Sequence, residues 1–225
     1  EITDLAYKYS KDNADELVFY DISASTKNEV VETAWVKKVA DKINIPFCVA
    51  GGIKNIRVAE AILNLGADKI SINTPAIENP KLITELAKEF GSQCVVVGID
   101  SYLQDQQYNV YSKTGDPTTR TKSNRLTYSW IKEVQDRGAG EIVLNCMNQD
   151  GVRNGYDLKQ LFDARKISRV PLIASGGAGN MDHFYDVFNS CNVDGALAAS
   201  VFHKNEVGIE VLKNNLLNRG IRVRT

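Results

Sequence analysis

The chain contains two copies of one sequence pattern, about 125 residues apart. IPFCVAGGIKN (45–55) is matched by VPLIASGGAGN (170–180), with a proline, both glycines and an asparagine in the same places. Two further pairs match in the same order: ADELVF (14–19) with AGEIVL (139–144), and, after one inserted residue, GADKISINT (66–74) with NVDGALAAS (192–200). Shared order and spacing indicate a two-fold internal duplication rather than a chance likeness between apolar strands that end in glycine.

Short apolar runs alternate with amphipathic helical patterns along the whole chain. Most of the runs are apolar almost continuously, as parallel strands covered on both faces should be. We predict seven strands, over 16–23, 46–50, 69–74, 94–99, 141–146, 171–175 and 195–200. Among the helices, the one that ends at Gly91 should have Asn79 as its cap and Pro80 as its first residue.

This alternation is compatible with an open doubly wound α/β sheet or with a closed (β/α)8 barrel. A duplicated unit of four βα pairs closes as eight strands, so we predict an α/β fold, a (β/α)8 TIM barrel with a two-fold half-barrel repeat, forming a single domain over 1–225. The repeat places the partner of VVVGID (95–100) about 25 residues before Glu1. We therefore expect that the first βα unit is missing from this chain and that the barrel is incomplete at its N-terminus.

Composition narrows the classes of function. With 225 residues, 43% of them hydrophobic, and a formal net charge of -1, the chain has no bulk attraction for nucleic acid or anionic membrane. It shows neither a membrane-length apolar stretch nor a signal peptide, so we expect a cytoplasmic protein. His183 and His203 are too few and too far apart to predict a metal site, and no cofactor is expected. The cysteines lack CxxC spacing and are predicted as small core residues: Cys48, Cys94, Cys146 and Cys191.

The doubled glycines end two of the predicted strands. In a barrel these ends form the active-site face, and glycine lets backbone N–H groups approach an anion that a Cβ would exclude. A hydroxyl suited to phosphate follows one strand later in each half. We predict two phosphate sites facing each other across the barrel mouth, for a ligand phosphorylated at both ends, unless the glycines merely turn strand into loop. The candidate residues are Gly52, Asn73, Thr74, Gly176, Gly177, Ala199 and Ser200.

Three aspartates are candidates for chemistry or binding. Asp100 ends an apolar run, where a carboxylate is costly unless it faces a polar site, so it is a candidate proton-transfer group or else a salt-bridged structural residue. Asp21 ends another strand and is expected to orient other groups rather than to act directly. Asp150 in NQDG should either cap a turn or bind a substrate hydroxyl. The polar stretch 101–125 should form a hairpin over the mouth or a solvated insert.

Eight motifs spanning essentially the whole chain resemble the cyclase subunits of imidazole glycerol phosphate synthase, from histidine biosynthesis: DELVFYDISAS, FCVAGGIK, GADKISINTPA, VVVGID, RGAGEIVLN, NQDGVRNGYDL, LIASGGAG and DGALAASVFH. The resemblance implies a (β/α)8 barrel and an enzyme of the lyase class that forms a heterodimer with a glutaminase subunit. Such an enzyme uses ammonia to split and cyclise a bisphosphorylated ribulosyl-formimino aminoimidazole carboxamide ribonucleotide.

The resemblance also implies roles for individual residues. Asp100 matches the family's general acid, Asp150 matches a substrate-contacting aspartate, and the glycines and hydroxyls named above match its phosphate-binding groups. The charged gate for ammonia, at the opposite end of the barrel, matches residues that could otherwise form simple surface ion pairs: Glu16, Lys69 and Glu141. The family's first strand, which carries a second catalytic aspartate, has no match here, so this chain is expected to lack its general base.

Two other functions stay open at this point. One is a related barrel that uses ammonia to amidate or aminate a sugar nucleotide for surface-polysaccharide synthesis. The other is a scaffold that binds phosphates or a partner without performing chemistry. An assay that shows which substrate is converted would separate the sugar-nucleotide alternative from the cyclase. An aspartate at the end of a first strand upstream would argue against a scaffold without catalytic activity.

Overall fold

The structure is a computed structural model that describes residues 1–20 and 34–224. The chain divides into two compact units. The first unit comprises the described residues of Glu1–Val97 with Ser112–Thr121 and Asp136–Gly140. The second unit comprises Gly98–Tyr111, Lys122–Gln135 and the described residues of Glu141–Thr225.

Helices and strands alternate along both units. From the N-terminus they are α1 (Ile2–Lys11), β1 (Leu17–Tyr20), α2 (Ala34–Ala40), β2 (Phe47–Ala50), α3 (Ile56–Asn64), β3 (Lys69–Ile72), α4 (Thr74–Glu78), α5 (Lys81–Phe90), a 3-10 turn (Ser92–Cys94) and β4 (Val95–Gln104), whose first three residues belong to the first unit. The rest are β5 (Gln107–Ser112), β6 (Thr121–Leu126), α6 (Thr127–Asp136), β7 (Glu141–Cys146), α7 (Leu158–Ile167), β8 (Leu172–Ser175), α8 (Met181–Cys191), β9 (Gly195–Leu197), α9 (Ser200–His203) and α10 (Ile209–Asn218).

The strands of the first unit are parallel and adjacent in chain order. Leu17 pairs with Phe47 between β1 and β2, and Cys48 pairs with Lys69 between β2 and β3. The first residues of β4 pair with β3. All four residues of β2 are buried, as expected for a parallel strand that is covered on both faces. In the second unit β7, β8 and β9 are parallel in the same order, so the α/β class predicted from the sequence is confirmed.

The duplication is visible in matching hydrogen bonds within each unit. In the first, Asp68 Oδ2 accepts from the Phe47 N–H at 3.0 Å, and the Asp68 N–H donates to the Phe47 carbonyl at 3.0 Å. In the second, Asp194 makes the same two bonds with Leu172, at 2.9 and 3.0 Å. Each pair of bonds attaches the loop before one strand to the start of its neighbour. The repeated aspartates therefore have a structural role that the sequence comparison alone does not explain.

The polar stretch after Asp100 forms β-structure, so the structure has nine strands in its described residues where the sequence predicts seven. β4 and β5 form an antiparallel hairpin with Gln104 opposite Gln107. The two loop residues, Asp105 and Gln106, both have positive φ (51° and 62°), which suits the right-handed twist of a two-residue hairpin. β6 pairs with β5. The predicted hairpin is present, whereas its place over a barrel mouth stays a prediction. Residues 113–126 are exposed or half-buried, as the alternative of a solvated insert expects.

Several predicted boundaries are wrong by a few residues. β4 continues to Gln104, so Asp100 lies inside this strand and only the apolar part ends there. β3 and β9 end at Ile72 and Leu197, because a helix begins almost at once after each. Helix α5 begins at Lys81, one residue after Pro80, which is its cap in place of Asn79. Every other predicted strand with described ends begins within one residue of its prediction.

Two properties of the described part of the chain bear on function. None of its helices has the length and apolar character needed to cross a membrane. The four cysteines are free thiols, and three of them, Cys48, Cys146 and Cys191, are buried, as expected for small core residues.

Candidate active site

The glycine turn of the first unit follows β2. Gly51 and Gly52 have positive φ angles of 105° and 66°. Ala50, the last residue of β2, pairs with Ser71 on β3, so the glycine turn and Asn73 follow the ends of two neighbouring strands. Asn73 occupies the N-cap position of helix α4, with no side-chain cap hydrogen bond, and Thr74 is the first residue of the helix. The structure therefore brings three of the predicted phosphate-binding residues to neighbouring strand ends of one unit.

The Thr74 side chain accepts a hydrogen bond just after the end of β3. Its Oγ1 accepts a hydrogen bond from the Lys113 N–H at 2.9 Å, and the hydroxyl proton is a separate donor. Lys113 itself forms an ion pair with Glu78 in the same helix, at 3.6 Å. The bond from Lys113 fixes the orientation of the Thr74 side chain beside the glycine turn.

The second unit repeats this arrangement. Ser175 and Leu197, the last residues of β8 and β9, pair with each other, so the second glycine turn and Ala199 follow the ends of two neighbouring strands. Ala199 caps helix α9, and Ser200 is its first residue and is exposed. The predicted residues of this half lie at equivalent places to those of the first half.

Gly177 is fixed by backbone packing. Its φ is 115°, and a Cβ built there would lie 2.1 Å from the Gly155 carbonyl oxygen. The Gly155 N–H also donates to the Gly177 carbonyl at 2.8 Å. A side chain at this position would separate the two backbone segments. Gly177 therefore needs to be glycine whether or not an anion binds, and phosphate binding by this turn stays a prediction.

Asp100 is half-buried and takes part in a row of polar side chains in the second unit. Asn145 Nδ2, on β7, donates to Asp100 Oδ1 at 2.9 Å. Ser175 Oγ, at the end of β8, donates to Asn145 Oδ1 at 3.3 Å. The sequence analysis missed Asn145 and Ser175. The signal was available, because each is a polar residue that directly follows apolar residues of its strand, in IVLN and LIAS.

The backbone next to Asp100 is anchored on the opposite face of β4. Neighbouring residues of a strand point to opposite faces, so Ser101 points away from Asp100. Its hydroxyl shares a hydrogen bond with Thr127 Oγ1 at 2.7 Å and accepts another from Gln160 Nε2. All three side chains are buried. These bonds hold β4 against helices α6 and α7 and limit the movement of Asp100.

The other two aspartates have different outcomes. Asp150 is exposed and lies in a turn. Its backbone N–H donates to the Cys146 carbonyl at 3.1 Å. A Cβ built on Gly176 would lie 3.4 Å from the Asp150 Cβ, so Asp150 lies beside the glycine turn of the second unit. A substrate contact by Asp150 is a prediction that this position allows. Asp21 lies outside the described residues.

Two of the three predicted gate residues form an ion pair. Lys69 Nζ lies 2.7 Å from Glu16 Oε2, at the N-terminal ends of β3 and β1. Their side chains are 21% and 32% exposed, so the pair is partly shielded from water. Glu141 is the first residue of β7, in the second unit. These residues lie at strand starts, whereas the glycine turns lie at strand ends.

Comparison with known proteins decides the family. The family model described as "Histidine biosynthesis protein" matches residues 1–208. The chain belongs to this family. Imidazole glycerol phosphate synthase subunit HisF of Vibrio cholerae serotype O1 (strain M66-2) is 59% identical over 226 aligned residues, and that of Aliivibrio fischeri (strain MJ11) is 60% identical over 227. Each alignment covers 100% of this chain and 88% of the relative.

Thiol chemistry is disfavoured at two cysteines of this member of the histidine biosynthesis family. Cys146 follows Asn145 on β7, and burial, with a smaller contribution from the negative charge of Asp157, raises the pKa of its thiol well above the ordinary value. Burial likewise raises the pKa of Cys191 to about 11, and its sulfur lies 3.3 Å from the Leu158 carbonyl oxygen. Neither thiol is ionised at neutral pH, and the thiolate is the reactive form of cysteine.

A tyrosine attaches the β4–β5 hairpin to the rest of the second unit. Tyr108 Oη donates to Asp157 Oδ2 at 3.1 Å, and Asp157 Oδ1 accepts from the Gln160 N–H at the start of helix α7. Burial and the neighbouring Asp157 carboxylate raise the pKa of Tyr108, so the phenol stays a donor at neutral pH. Within residues 1–20 and 34–224, no three histidine, cysteine or acidic side chains come together as a metal site would require.

Proposed function

We propose that this chain is the cyclase subunit of imidazole glycerol phosphate synthase. In this reaction, ammonia and the bisphosphorylated ribulosyl-formimino aminoimidazole carboxamide ribonucleotide give imidazole glycerol phosphate and aminoimidazole carboxamide ribonucleotide. The observation that carries the proposal is the identity of 59 to 60% with the named subunits over 100% of this chain. A likeness of this extent covers both units and both glycine turns.

The phosphate-binding part of the proposal rests on the repeated glycine turns. A substrate phosphorylated at both ends needs two phosphate-binding groups, and each unit offers one turn with a hydroxyl at the neighbouring strand end. The residues proposed to bind phosphate are Gly52, Asn73 and Thr74 in the first unit and Gly176, Gly177, Ala199 and Ser200 in the second. Backbone N–H groups and a hydroxyl at such turns suit phosphate oxygens.

Asp100 is the proposed general acid. A carboxyl group that transfers a proton needs a fixed direction toward the reacting atoms and restricted access to water. Asp100 is half-buried, and its Oδ1 is held by Asn145. Asp150, exposed beside the glycine turn, is proposed to contact the substrate, and Asp21 is proposed to orient neighbouring groups.

The proposed nitrogen source is ammonia from a glutaminase partner. The Glu16–Lys69 pair, with Glu141, is proposed as a charged gate at the starts of the strands, where ammonia would enter. The proposed complete fold is a (β/α)8 barrel, in which strand starts and strand ends form opposite faces. Entry on one face and chemistry on the other would keep ammonia from being lost to water.

The experiment is an assay of the full-length protein with ammonium salt at alkaline pH and the bisphosphorylated substrate. Mass spectrometry should detect both products, without a partner protein. Adding the glutaminase subunit should allow glutamine to replace ammonium. Binding of the substrate without product formation would support the non-catalytic scaffold instead. Amination of a sugar nucleotide, with no cyclisation of this substrate, would support the polysaccharide alternative.

A further inference from the structure

Asp100, Asn145 and Ser175 form one hydrogen-bonded row in the second unit, and the Asp100 carboxylate determines the orientation of the Asn145 amide. The Ser175 hydroxyl donates to Asn145 Oδ1, and Asn145 Nδ2 donates to Asp100 Oδ1. A flipped amide would direct its oxygen at the carboxylate and its N–H groups at the serine. The carboxylate can only accept when ionised, so the flipped amide would lose a favourable bond and place two oxygens together.

Gly176 makes room for this amide. A Cβ built at Gly176 would lie 3.0 Å from Asn145 Oδ1 and 2.9 Å from the Cys146 carbonyl oxygen. Both distances are tighter than ordinary van der Waals contact. The hydrogen-bonded row therefore depends on the glycine turn, because Gly176 leaves the space that the Asn145 amide occupies.

The first unit forms the same strand pair without this row. Asn145 lies opposite Ser175 between β7 and β8, and the equivalent pair in the first unit is Tyr20 opposite Ala50, between β1 and β2. The same strand pair therefore forms with the same register without an amide and without a serine hydroxyl. The amide of Asn145 and the hydroxyl of Ser175 are therefore specific to the second unit, and the first unit has a phenol and a methyl group at these places.

We propose that Asn145 is a positioning residue for Asp100, with Ser175 fixing its amide. By holding one carboxylate oxygen, Asn145 fixes the direction of the other oxygen, through which the proton moves. This inference rests on the proposed function, because it assigns a role within that reaction. Asn145 acts through Asp100, so its loss should slow the chemical step and leave substrate binding nearly unchanged.

The test compares Asn145→Val with Asn145→Thr in the full-length protein, with ammonium as the nitrogen source. Valine and threonine have nearly the same shape and favour strands, but only threonine has a donor. We expect kcat to fall about 10- to 100-fold in Asn145→Val, the range for losing one hydrogen bond to a charged group. Asn145→Thr should be at least about five times faster than Asn145→Val, with KM within about twofold of wild type in both.

Ser175→Ala covers the case in which Asn145→Val does not fold, which thermal unfolding will show. The first unit already has alanine at this place, and kcat should fall a few-fold with KM unchanged. Equal rates for the valine and threonine variants, or a rise in KM at unchanged kcat, would overturn the inference. No turnover by the wild-type protein would overturn the proposed function, and the inference with it, whereas wild-type turnover with equal variants would overturn only the inference.

Discussion

The two units have the same backbone bonds but different polar side chains at their strand ends. Asp68 and Asp194 attach neighbouring strands in the same way, and Asn55 and Asn180 both cap the helix that follows a glycine turn. These shared bonds satisfy backbone N–H groups that would otherwise be left unpaired as the strand or helix begins. They are what the repeat needs in order to fold.

The differences lie at both ends of the strands. At the strand ends, Asn145 and Ser175 in the second unit replace Tyr20 and Ala50 of the first. At the strand starts, the place of Lys69 is taken by Gly195, where a Cβ would lie 2.8 Å from Ile173 Cδ1. Gly195 has no side chain that could form an ion pair, so the pair between Lys69 and Glu16 belongs to the first unit. The duplicated scaffold is thus kept by shared backbone bonds, while the polar side chains at the strand ends and strand starts differ between the two units.

The largest expected effect on stability comes from the glycine turns. Gly177→Ala should lower the free energy of unfolding by about 3 kcal/mol, because the new Cβ meets the Gly155 backbone. Gly52→Ala should cost at least about 1 to 2 kcal/mol, from the positive φ of 66°. Urea unfolding in phosphate-free buffer measures both. The control is Gly151→Ala, where φ is 76° and no atom lies within 4 Å of the new Cβ. Equal costs for Gly177→Ala and Gly151→Ala would contradict the steric explanation.

A smaller effect is expected for the repeated aspartates. Asp68→Ala and Asp194→Ala should each lower the free energy of unfolding by about 1 to 2 kcal/mol, because a backbone N–H loses its acceptor. The Asp194 variant should cost slightly more, since this carboxylate also pairs with Arg165 at 2.5 Å. Raising the salt concentration should remove that excess and leave the two variants equal. An effect in one unit alone would contradict the view that both aspartates have the same structural role.

The smallest effect is expected for the asparagine caps. Asn55 Oδ1 accepts from the Val58 N–H at 3.0 Å, and Asn180 Oδ1 accepts from the His183 N–H at 3.2 Å. Alanine at either place should cost about 1 kcal/mol. In the second unit His183 Nδ1 also accepts from the Gly179 N–H at 3.0 Å, a bond that survives the substitution. Thermal unfolding of both variants should therefore show similar shifts, and a shift confined to one unit would break the comparison.

The strands could be predicted because continuous apolar runs are what parallel strands covered on both faces require. The doubled glycines likewise revealed the repeat. The hairpin boundaries could not be predicted, because a polar strand such as β6 has no apolar period to mark it. Asn145 was missed for a different reason, since its importance depends on a bond to a residue 45 positions away. The strand order β4–β7–β8 brings it beside Asp100, and the register of β7 with β8 places it opposite Ser175.

The central claim is that the second unit carries the proton transfer at Asp100, and Asp100→Asn in the full-length protein tests it most directly. The substitution keeps the volume and removes the ionisable group. Ammonia-dependent kcat should fall by at least about 100-fold, within the range for general acid–base catalysis, while the unfolding midpoint and the affinity for the bisphosphorylated substrate stay nearly unchanged. Turnover within a few-fold of wild type in a well-folded Asp100→Asn protein would contradict the claim.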